Sequence, residues 1–259
     1  MTIPFFQVTE LSISFGGIKA LQHIGFSMEK GEIFSIIGPN GAGKTTLFNC
    51  ISGLYKPDIG QILFKGKNIA NRSPDHIARS GIGRTFQNIE LFPHINTMEN
   101  IMLGRHIHMK TGLLRGMFMW GRNSFAGREE MKHREKAEKI IDFLELQNAR
   151  DKLVGGLPYG TQKRIELGRA LALEPQLLLL DEPCAGTNSE EKQDMIFRIK
   201  DIQDVFGISI LLIEHDMKMV MDISSRILAI NFGEPLTLGD PQDVQKNKDV
   251  LKAYLGEAV

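Results

Sequence analysis

The residues best suited to chemistry form one glycine-rich stretch: Gly38, Pro39, Asn40, Gly41, Ala42, Gly43, Lys44, Thr45 and Thr46. It follows the apolar run 33–37 and precedes a helical pattern, which is the context that the phosphate-binding pattern G-x-x-x-x-G-K-[ST] requires. Glycines let several backbone N–H groups point at one anion, and a helix that begins there adds the positive end of its dipole. Lys44 would reach the β- and γ-phosphates, and the Thr45 hydroxyl would bind Mg²⁺. Alone, this stretch predicts nucleoside triphosphate binding and leaves kinases, GTPases, helicases and transporters open.

Two acidic residues end a second apolar run. Asp181 and Glu182 directly follow the four leucines at 177–180. The carboxyl ends of parallel strands are where such sheets bind ligands. We therefore interpret Asp181 as a Mg²⁺ ligand, directly or through water, and Glu182 as the group that polarises an attacking water. The alternative is a pair of acids that begins an ordinary surface loop.

The elements that must position these residues alternate between strands and helices. The first 70 residues indicate strands at 7–15, 33–37 and 60–66, with one helix after Gly43. Between about 95 and 173 the pattern becomes helical, with apolar residues at 137, 140, 141 and 144 on one stripe. A strand from 177, a helix with a stripe at 195, 199, 202 and 206, and a strand at 208–213 follow, before a short helix at 241–255. This order predicts a parallel sheet covered on both faces, with a helical insertion.

Composition excludes several classes of protein. The 259 residues include 31 Lys plus Arg and 31 Asp plus Glu, so there is no global positive field for nucleic acid or an acidic membrane surface. The longest apolar runs are far shorter than the roughly 18 to 20 residues that span a bilayer. The first basic residue is Lys19, so we also expect no secretory signal and a location in the cytosol. Cys50 and Cys184 match neither a metal spacing nor a disulfide framework, and we expect both to be buried.

With both stretches in place, the chain resembles the ATP-binding subunit of an ABC transporter over essentially its whole length. Five further segments are similar to family motifs, in order: the adenine-stacking loop Ser14–Gly16, the Q-loop Arg84–Gln87, the signature Leu157–Gln162, the D-loop Ala185–Asn188 and the switch histidine in Glu214–Asp216. The resemblance implies an α/β fold: a P-loop NTPase core of the ABC type with a mostly parallel sheet, an N-terminal antiparallel β region and a helical subdomain. It divides the single ABC ATPase domain 1–259 into a nucleotide-binding core at 1–94 and 174–240, a helical and signature subdomain at 95–173, and a helical tail at 241–259.

The same resemblance assigns roles for ATP and Mg²⁺. Phe15 would stack on adenine, His215 would contact the γ-phosphate and position the water, and Gln87 would bind Mg²⁺ or the water while its loop faces the membrane partner. Gly160 would face phosphate from the opposite subunit. Without the resemblance, Phe15 and His215 would be interpreted as structural residues and Gln87 as an ordinary surface amide. The predicted catalytic residues are therefore Glu182, His215, Gln87 and Lys44, and the predicted metal ligands are Thr45, Gln87 and Asp181.

The signature departs from the family's usual Leu-Ser-Gly-Gly-Gln. Pro158 replaces the serine whose hydroxyl meets the γ-phosphate, and Tyr159 and Thr161 are also unusual. We expect weaker, but not absent, stabilisation of ATP from this side. Asn188 in place of the usual D-loop aspartate predicts a smaller effect.

In this family ATP binds between two subunits, so the resemblance implies a dimer with an identical or a second, similar ATPase. It also implies two transmembrane permease subunits, an extracytoplasmic substrate-binding protein as an indirect partner, no nucleic acid, and a place at the cytoplasmic face of the membrane. Segments 83–87, 214–217 and 253–257 are similar to branched-chain amino acid importer ATPases, above all to the longer of that system's two. A urea or amide importer, another ABC transporter ATPase such as that for lipopolysaccharide export, a soluble ABC switch or scaffold without a permease, and a P-loop kinase remain as alternatives.

One segment has no place in ATP chemistry. Residues 105–136 contain eight Lys or Arg and three acids, with apolar residues clustered at 113–120. We predict that it touches the permease or the paired ATPase. The alternative is an insertion that folds its own apolar residues inward.

Overall fold

The computed structural model describes residues 4–109 and 125–255. Its strands form a four-stranded sheet of order β2-β1-β4-β5 and a six-stranded sheet of order β10-β9-β3-β8-β7-β6. The strands are β1 Phe6–Phe15, β2 Ile18–Met28, β3 Ile33–Ile37, β4 Ile59–Phe64, β5 Lys67–Asn68, β6 Ile82–Arg84, β7 Leu177–Asp181, β8 Ser209–Ile213, β9 Arg226–Asn231 and β10 Glu234–Gly239.

The helices of the described residues surround the larger sheet. They are α1 Lys44–Ile51, α2 Pro74–Ser80, α3 Thr97–Arg105, α4 Phe125–Phe143, α5 Tyr159–Leu171, α6 Ser189–Phe206, α7 Met217–Ile223, α8 Pro241–Lys246 and α9 Lys248–Leu255. Three short 3-10 turns lie at His106–His108, Gln147–Ala149 and Val154–Gly156.

Strand directions confirm the predicted fold class. In the small N-terminal sheet, β1 pairs antiparallel with β2 and β4. In the large sheet, β3 pairs parallel with β8 and β9, and β7 pairs parallel with β6 and β8. The edge strand β10 runs antiparallel to β9, so the sheet is mostly parallel. All residues of β3, β7 and β8 are buried, as expected for a sheet covered on both faces.

Alternation along β7 sends its side chains into two separate cores. Leu177 and Leu179 join a cluster with the small sheet and α1. Leu178 and Leu180 join a cluster with α3, α4, α5 and α6. Because side chains alternate along a strand, Asp181 follows Leu177 and Leu179 on the α1 side.

Two details of the helices differ from the sequence interpretation. In α6, Met195, Ile199 and Ile202 of the predicted stripe are buried, and Phe206, the last residue of the helix, is 52% exposed with its ring packed edge-on with Phe143. The single helix predicted at 241–255 is two helices, α8 and α9. The break has a local cause, since the Asn247 side-chain oxygen accepts hydrogen bonds from the N–H groups of Asp249 (2.9 Å) and Val250 (3.2 Å) and so starts a new helix.

Three further predictions concern burial and the membrane. Cys50 and Cys184 are buried as predicted, and burial raises the pKa of each thiol to about 12. Among the helices of 4–109 and 125–255, none is long and apolar enough to cross a membrane. The apolar cluster at 113–120, to which we assigned a partner contact, lies outside the described residues.

Candidate active site

The phosphate-loop candidate connects the end of β3 to the start of α1. Gly43 is the helix N-cap with a left-handed φ of +102°, and a Cβ at this position would lie 2.6 Å from the carbonyl oxygen of Ala20. Conformation and space therefore both require glycine here. The loop is also held from outside, because the Gly233 N–H donates to the Ala42 carbonyl at 3.0 Å. The start of α1 is thus packed closely between β2 and the β9–β10 turn.

Lys44 lies beneath this loop. Its side-chain ammonium donates to the carbonyls of Gly38 (2.7 Å) and Pro39 (2.9 Å), and the residue is only 6% exposed. Burial lowers the pKa of Lys44, while the nearby carboxylates of Glu182 and Asp181 oppose that shift. The cation is therefore fixed by the loop itself and faces two acids.

A cavity of about 460 Å³ joins the phosphate loop to the second half of the chain. Its walls include 40–46 of the loop together with Gln87 and Glu182. Ile18 and Phe232 provide apolar wall, whereas the ring of Phe15 lies edge-on to Tyr55 with centroids 5.1 Å apart. The structure thus brings the predicted phosphate-binding and catalytic residues together, while the predicted adenine-stacking ring packs on another aromatic residue.

Asp181 has one satisfied and one unsatisfied carboxylate oxygen. Its Oδ2 accepts a hydrogen bond from Arg84 Nη2 at 3.1 Å, and Arg84 also donates to Asn49 (2.8 Å) and Ser52 (2.6 Å) of the α1 region. Its Oδ1 is buried and has no hydrogen-bond partner among the described residues. Burial raises the pKa of Asp181, and Arg84 opposes the rise. A buried carboxylate oxygen with no protein donor fits a hard cation such as Mg²⁺.

Glu182 is the point where three predicted catalytic side chains meet. Its Oε2 accepts from Gln87 Nε2 at 3.0 Å and lies 3.8 Å from His215 Nδ1. Its backbone has a left-handed φ of +48°, and its N–H donates to the Ile213 carbonyl at 2.9 Å. A non-glycine residue in this conformation is held by its surroundings at some cost, which is common at active sites.

Glu214 is a residue of this site that the sequence interpretation did not assign individually. It is 1% exposed, and its carboxylate accepts from the backbone N–H of Cys184 (3.1 Å) and of His215 (3.0 Å). It therefore holds the loop after Asp181 and Glu182 together with the loop that carries His215. An acid directly after a buried apolar strand was the available sequence clue, the same clue that identified Asp181.

The signature segment lies apart from the phosphate-loop cavity. Gly160 lies in the first turn of α5 and lines a different cavity of about 260 Å³. The Glu191 carboxylate packs directly against Gly160, so a side chain at this position would displace it. The Tyr159 ring packs on the D-loop, since a Cβ at Gly186 would lie 3.0 Å from Tyr159 Cε1. Within one chain, the signature therefore contacts the D-loop and α6, and the phosphate loop lies elsewhere.

The final helix reaches the phosphate loop from outside. Pro39 and Asn40 share a cavity of about 490 Å³ with Lys252 and Ala253 of α9. Burial raises the pKa of Tyr254, and a hydrogen bond from the Gly38 backbone opposes the rise. The sequence interpretation gave this tail no role in the site.

Taken together, this geometry suits cleavage of a phosphate anhydride. The loop and the start of α1 offer N–H groups and a fixed cation to an anion. The Glu182 carboxylate, which accepts a hydrogen bond from Gln87, lines the same cavity and can accept a proton from water.

Comparisons with known proteins agree with this geometry. The family model "ABC transporter" matches residues 21–185, and "Branched-chain amino acid ATP-binding cassette transporter" matches residues 234–259. The chain is 41% identical over 258 residues to the high-affinity branched-chain amino acid transport ATP-binding protein BraF of Pseudomonas aeruginosa, covering 100% of both chains. It is 39% identical over 258 residues, again covering 100% of both, to LivG of Escherichia coli K12, which carries the same description.

Solved structures show the same fold. The crystal structure of the ADP conformation of an ATP-binding cassette of an ABC transporter matches with a TM-score of 0.84 and 31% identity, covering 99% of this chain and 100% of that one. The chain therefore belongs to the ABC transporter family, and it is an ATP-binding cassette ATPase.

Proposed function

We propose that this ATPase powers the import of branched-chain amino acids from the cytoplasmic face of a membrane. The relatives named for this transport align along their full lengths, and the tail at 234–259 matches a family model named for the same substrates. The observation that supports the catalytic part is the 460 Å³ cavity, because the phosphate loop and Glu182 both line it.

In this proposal each side chain has a task that its contacts support. Backbone N–H groups of 38–46 and the Lys44 ammonium bind the phosphates. Glu182 accepts the proton of the attacking water, and Gln87 and His215 orient that carboxylate and the γ-phosphate. Phe15 is 43% exposed, so its ring has surface left for adenine beside the edge contact with Tyr55.

Mg²⁺ has a fitting site in these residues. Asp181 Oδ1 is the buried oxygen without a donor, and Thr45 and Gln87 line the adjoining cavity. We propose these three residues as the groups that hold the ion. When bound, it would neutralise charge on the phosphate oxygens.

The partners follow from the position of the signature. Since Gly160 lies outside the phosphate-loop cavity of its own chain, a second ATPase, identical or similar, would supply a signature to this site. Two permease subunits would contact the Q-loop side, and an extracytoplasmic binding protein would deliver the substrate. We propose the 94/95 and 173/174 boundaries as the limits of the helical subdomain.

Reconstitution tests the substrate. The complex purified from the native host, with its permeases and binding protein, is placed in liposomes with ATP, and uptake of labelled leucine and of labelled urea is measured. We expect ATP-dependent leucine uptake and no urea uptake. Urea uptake alone would overturn the amino acid assignment. Purification of an active ATPase from which permeases are absent would favour a soluble ABC switch.

A further inference from the structure

Phe15 is the last residue of β1, and little of the small sheet holds it in place. On one side of β1, pairing with β4 ends at Ser12. On the other side, Phe15 pairs with Ile18 of β2 across a turn of two glycines that both have positive φ, and the pairing shifts register three times along β1 before this point. The position of the ring therefore depends on contacts from outside these two strands.

The turn between α1 and β4 provides such contacts. The Asp58 N–H donates to the Ser12 carbonyl at 2.9 Å, and the Asp58 carboxylate accepts from the Ser14 N–H at 2.8 Å. The rings of Tyr55 and Phe15 pack with an interplanar angle of 65° and centroids 5.1 Å apart. Asp58 thus bonds the free edge of β1 where its ladder with β4 has ended, and Tyr55 contacts the ring itself.

The same turn is bonded to the end of α1. The Asn49 carbonyl accepts from the N–H groups of Leu54 (2.8 Å) and Tyr55 (3.0 Å). The Asn49 side chain accepts from Arg84 at 2.8 Å, and Arg84 donates in turn to Asp181 at 3.1 Å. Since α1 begins in the phosphate loop, one helix and the turn after it link the predicted adenine-binding ring to the phosphate-binding and Mg²⁺-binding ends of the site.

Both rings keep surface for a ligand. Phe15 is 43% and Tyr55 39% exposed. An edge-to-face contact between two aromatic rings covers at most one face of either ring. A planar base can therefore stack on the other face of Phe15 while Tyr55 stays in place.

We propose that Tyr55 and Asp58 are positioning residues for adenine binding: Asp58 fixes the backbone before Phe15, and Tyr55 holds its ring at a set distance from the phosphate loop. ATP gains affinity from this arrangement because a ring that is already ordered loses little further freedom when the base stacks on it. The gain belongs to the base and not to the phosphates. The inference rests on the proposed adenine role of Phe15 and adds two residues to it.

The test is titration of the purified full chain with ATP and, separately, with inorganic tripolyphosphate, which has no base, both in the presence of Mg²⁺. The variants are Phe15→Ala, Tyr55→Ala, Tyr55→Phe, Asp58→Ala and Asp58→Asn. Phe197→Ala is the matched control, since it removes a ring of α6 that is 57% exposed. The melting temperature of each variant is measured, as are the kcat and KM for ATP in the transporter complex.

We expect Phe15→Ala to weaken ATP binding about fivefold to a hundredfold, the range for stacking of one base on an aromatic ring. Tyr55→Ala should weaken it about twofold to tenfold, the cost of ordering one freed side chain. In both, the KM for ATP should rise while kcat changes less than about twofold. Tyr55→Phe keeps the ring and should match the wild type, as should Phe197→Ala.

Asp58→Ala should weaken ATP binding to a similar extent as Tyr55→Ala. Asp58→Asn keeps an acceptor for the Ser14 N–H, so its effect should be smaller, and it provides the test if Asp58→Ala does not fold. Tripolyphosphate should bind every variant as it binds the wild type, because the phosphate loop is untouched.

The double variant Phe15→Ala/Tyr55→Ala shows whether Tyr55 acts through Phe15. If it does, adding Tyr55→Ala to Phe15→Ala should cause no further loss of ATP affinity. A further loss as large as that of Tyr55→Ala alone would mean that Tyr55 contacts the base directly, and would overturn the positioning role.

Two other results would overturn the inference. One is wild-type ATP affinity in folded Tyr55→Ala and Asp58→Ala. The other is an equal loss of ATP and tripolyphosphate affinity that follows the melting temperature, which would indicate a general loss of structure. Failure of the proposed function is seen separately in Phe15→Ala: unchanged ATP affinity in that variant would remove the adenine role of Phe15, and the inference with it.

Discussion

The phosphate loop and the Q-loop both line one cavity and are held by different kinds of contact. Most of the named contacts of the phosphate loop are close in sequence: Gly43 permits the turn, and the Lys44 side chain donates to carbonyls six and five residues earlier, while the Gly233 N–H holds the loop from outside. The Q-loop is held by side chains far away in sequence, such as Lys163, which lies 76 positions from Gln87. The position of the Q-loop therefore depends on how α5 packs, whereas that of the phosphate loop depends mainly on neighbouring residues of the chain.

The largest expected effect is at Glu182, which lines the cavity with the phosphate loop and bonds Gln87 of the Q-loop. We expect Glu182→Gln to lower ATP turnover by about 10²- to 10⁴-fold, because the group that accepts the water proton is lost. ATP binding should persist, because Lys44 and the loop are untouched. Turnover and nucleotide affinity are measured side by side, with Asp204→Asn on the exposed face of α6 as control. Rapid turnover by Glu182→Gln would remove the proposed role.

Asn100→Ala tests the contacts that hold the segment after the Q-loop. Asn100 is fully buried in α3, its side-chain oxygen accepts from the Phe92 N–H at 2.9 Å, and its amide donates to the Phe92 carbonyl at 3.0 Å. Removing it leaves buried backbone groups unpaired, so unfolding free energy should fall by about 2–3 kcal/mol. Denaturant unfolding measures this change. A loss below about 0.5 kcal/mol would mean that the segment after the Q-loop does not depend on α3.

Gly43→Ala tests the conformation of the phosphate loop. The left-handed φ and the 2.6 Å approach to the Ala20 carbonyl predict a destabilisation of about 2 kcal/mol and weakened ATP binding. Gly156→Ala is the control, since a Cβ there would meet nothing within 4 Å. Calorimetric unfolding and nucleotide titration of both variants provide the comparison. Equal stability of the two would show that the loop tolerates a side chain.

The smallest expected effect is at Asp216, which makes both a local contact and a contact with a distant residue. Asp216 caps α7 locally by accepting from the Met219 N–H at 3.2 Å, and it binds Lys192 of α6 at 2.6 Å. Asp216→Asn keeps an amide that can cap but removes the ion pair, so we expect a loss of about 0.5 kcal/mol at pH 7.

The pH dependence of this loss has a definite sign. The hydrogen bond from Lys192, with that from Met219, lowers the pKa of Asp216 below its ordinary value of 3.8. Its contribution is therefore complete above pH 3.8 and disappears as the pH falls through the lower, folded value. Urea unfolding at pH 7, 4 and 3 should show the wild type and Asp216→Asn converging toward low pH. A constant difference would show that the carboxylate charge is not responsible.

The same division explains what could be predicted from the sequence. The bounds of β3 and the position of Lys44 followed from an apolar run and a glycine pattern, because both are local. The predicted α6 stripe is buried at Met195, Ile199 and Ile202 and packs on Phe143 at Phe206; the exposure of Phe206 could not be predicted, because periodicity does not show where the core ends. The break at Asn247 depends on one side chain capping a new helix, which the apolar pattern of 241–255 does not contain.

The parts of the site that could not be predicted depend on contacts between residues far apart in the sequence. Glu214 follows a recognised strand but acts through the N–H of Cys184, 30 positions away. Lys163 and Glu166 are read along α5 as ordinary charged residues, and only the fold shows them buried against the Q-loop. The site roles taken from the family resemblance remain predictions for the variants above.

The central claim, an ATPase that drives a membrane importer, is tested most directly by affinity co-purification of the tagged chain from detergent-solubilised membranes of its native host. Mass identification should find two multi-span proteins and an ATPase partner, either a second similar chain or this chain itself at twice the amount of each permease. Recovery with cytosolic proteins alone would contradict the transport claim and leave a soluble ABC ATPase.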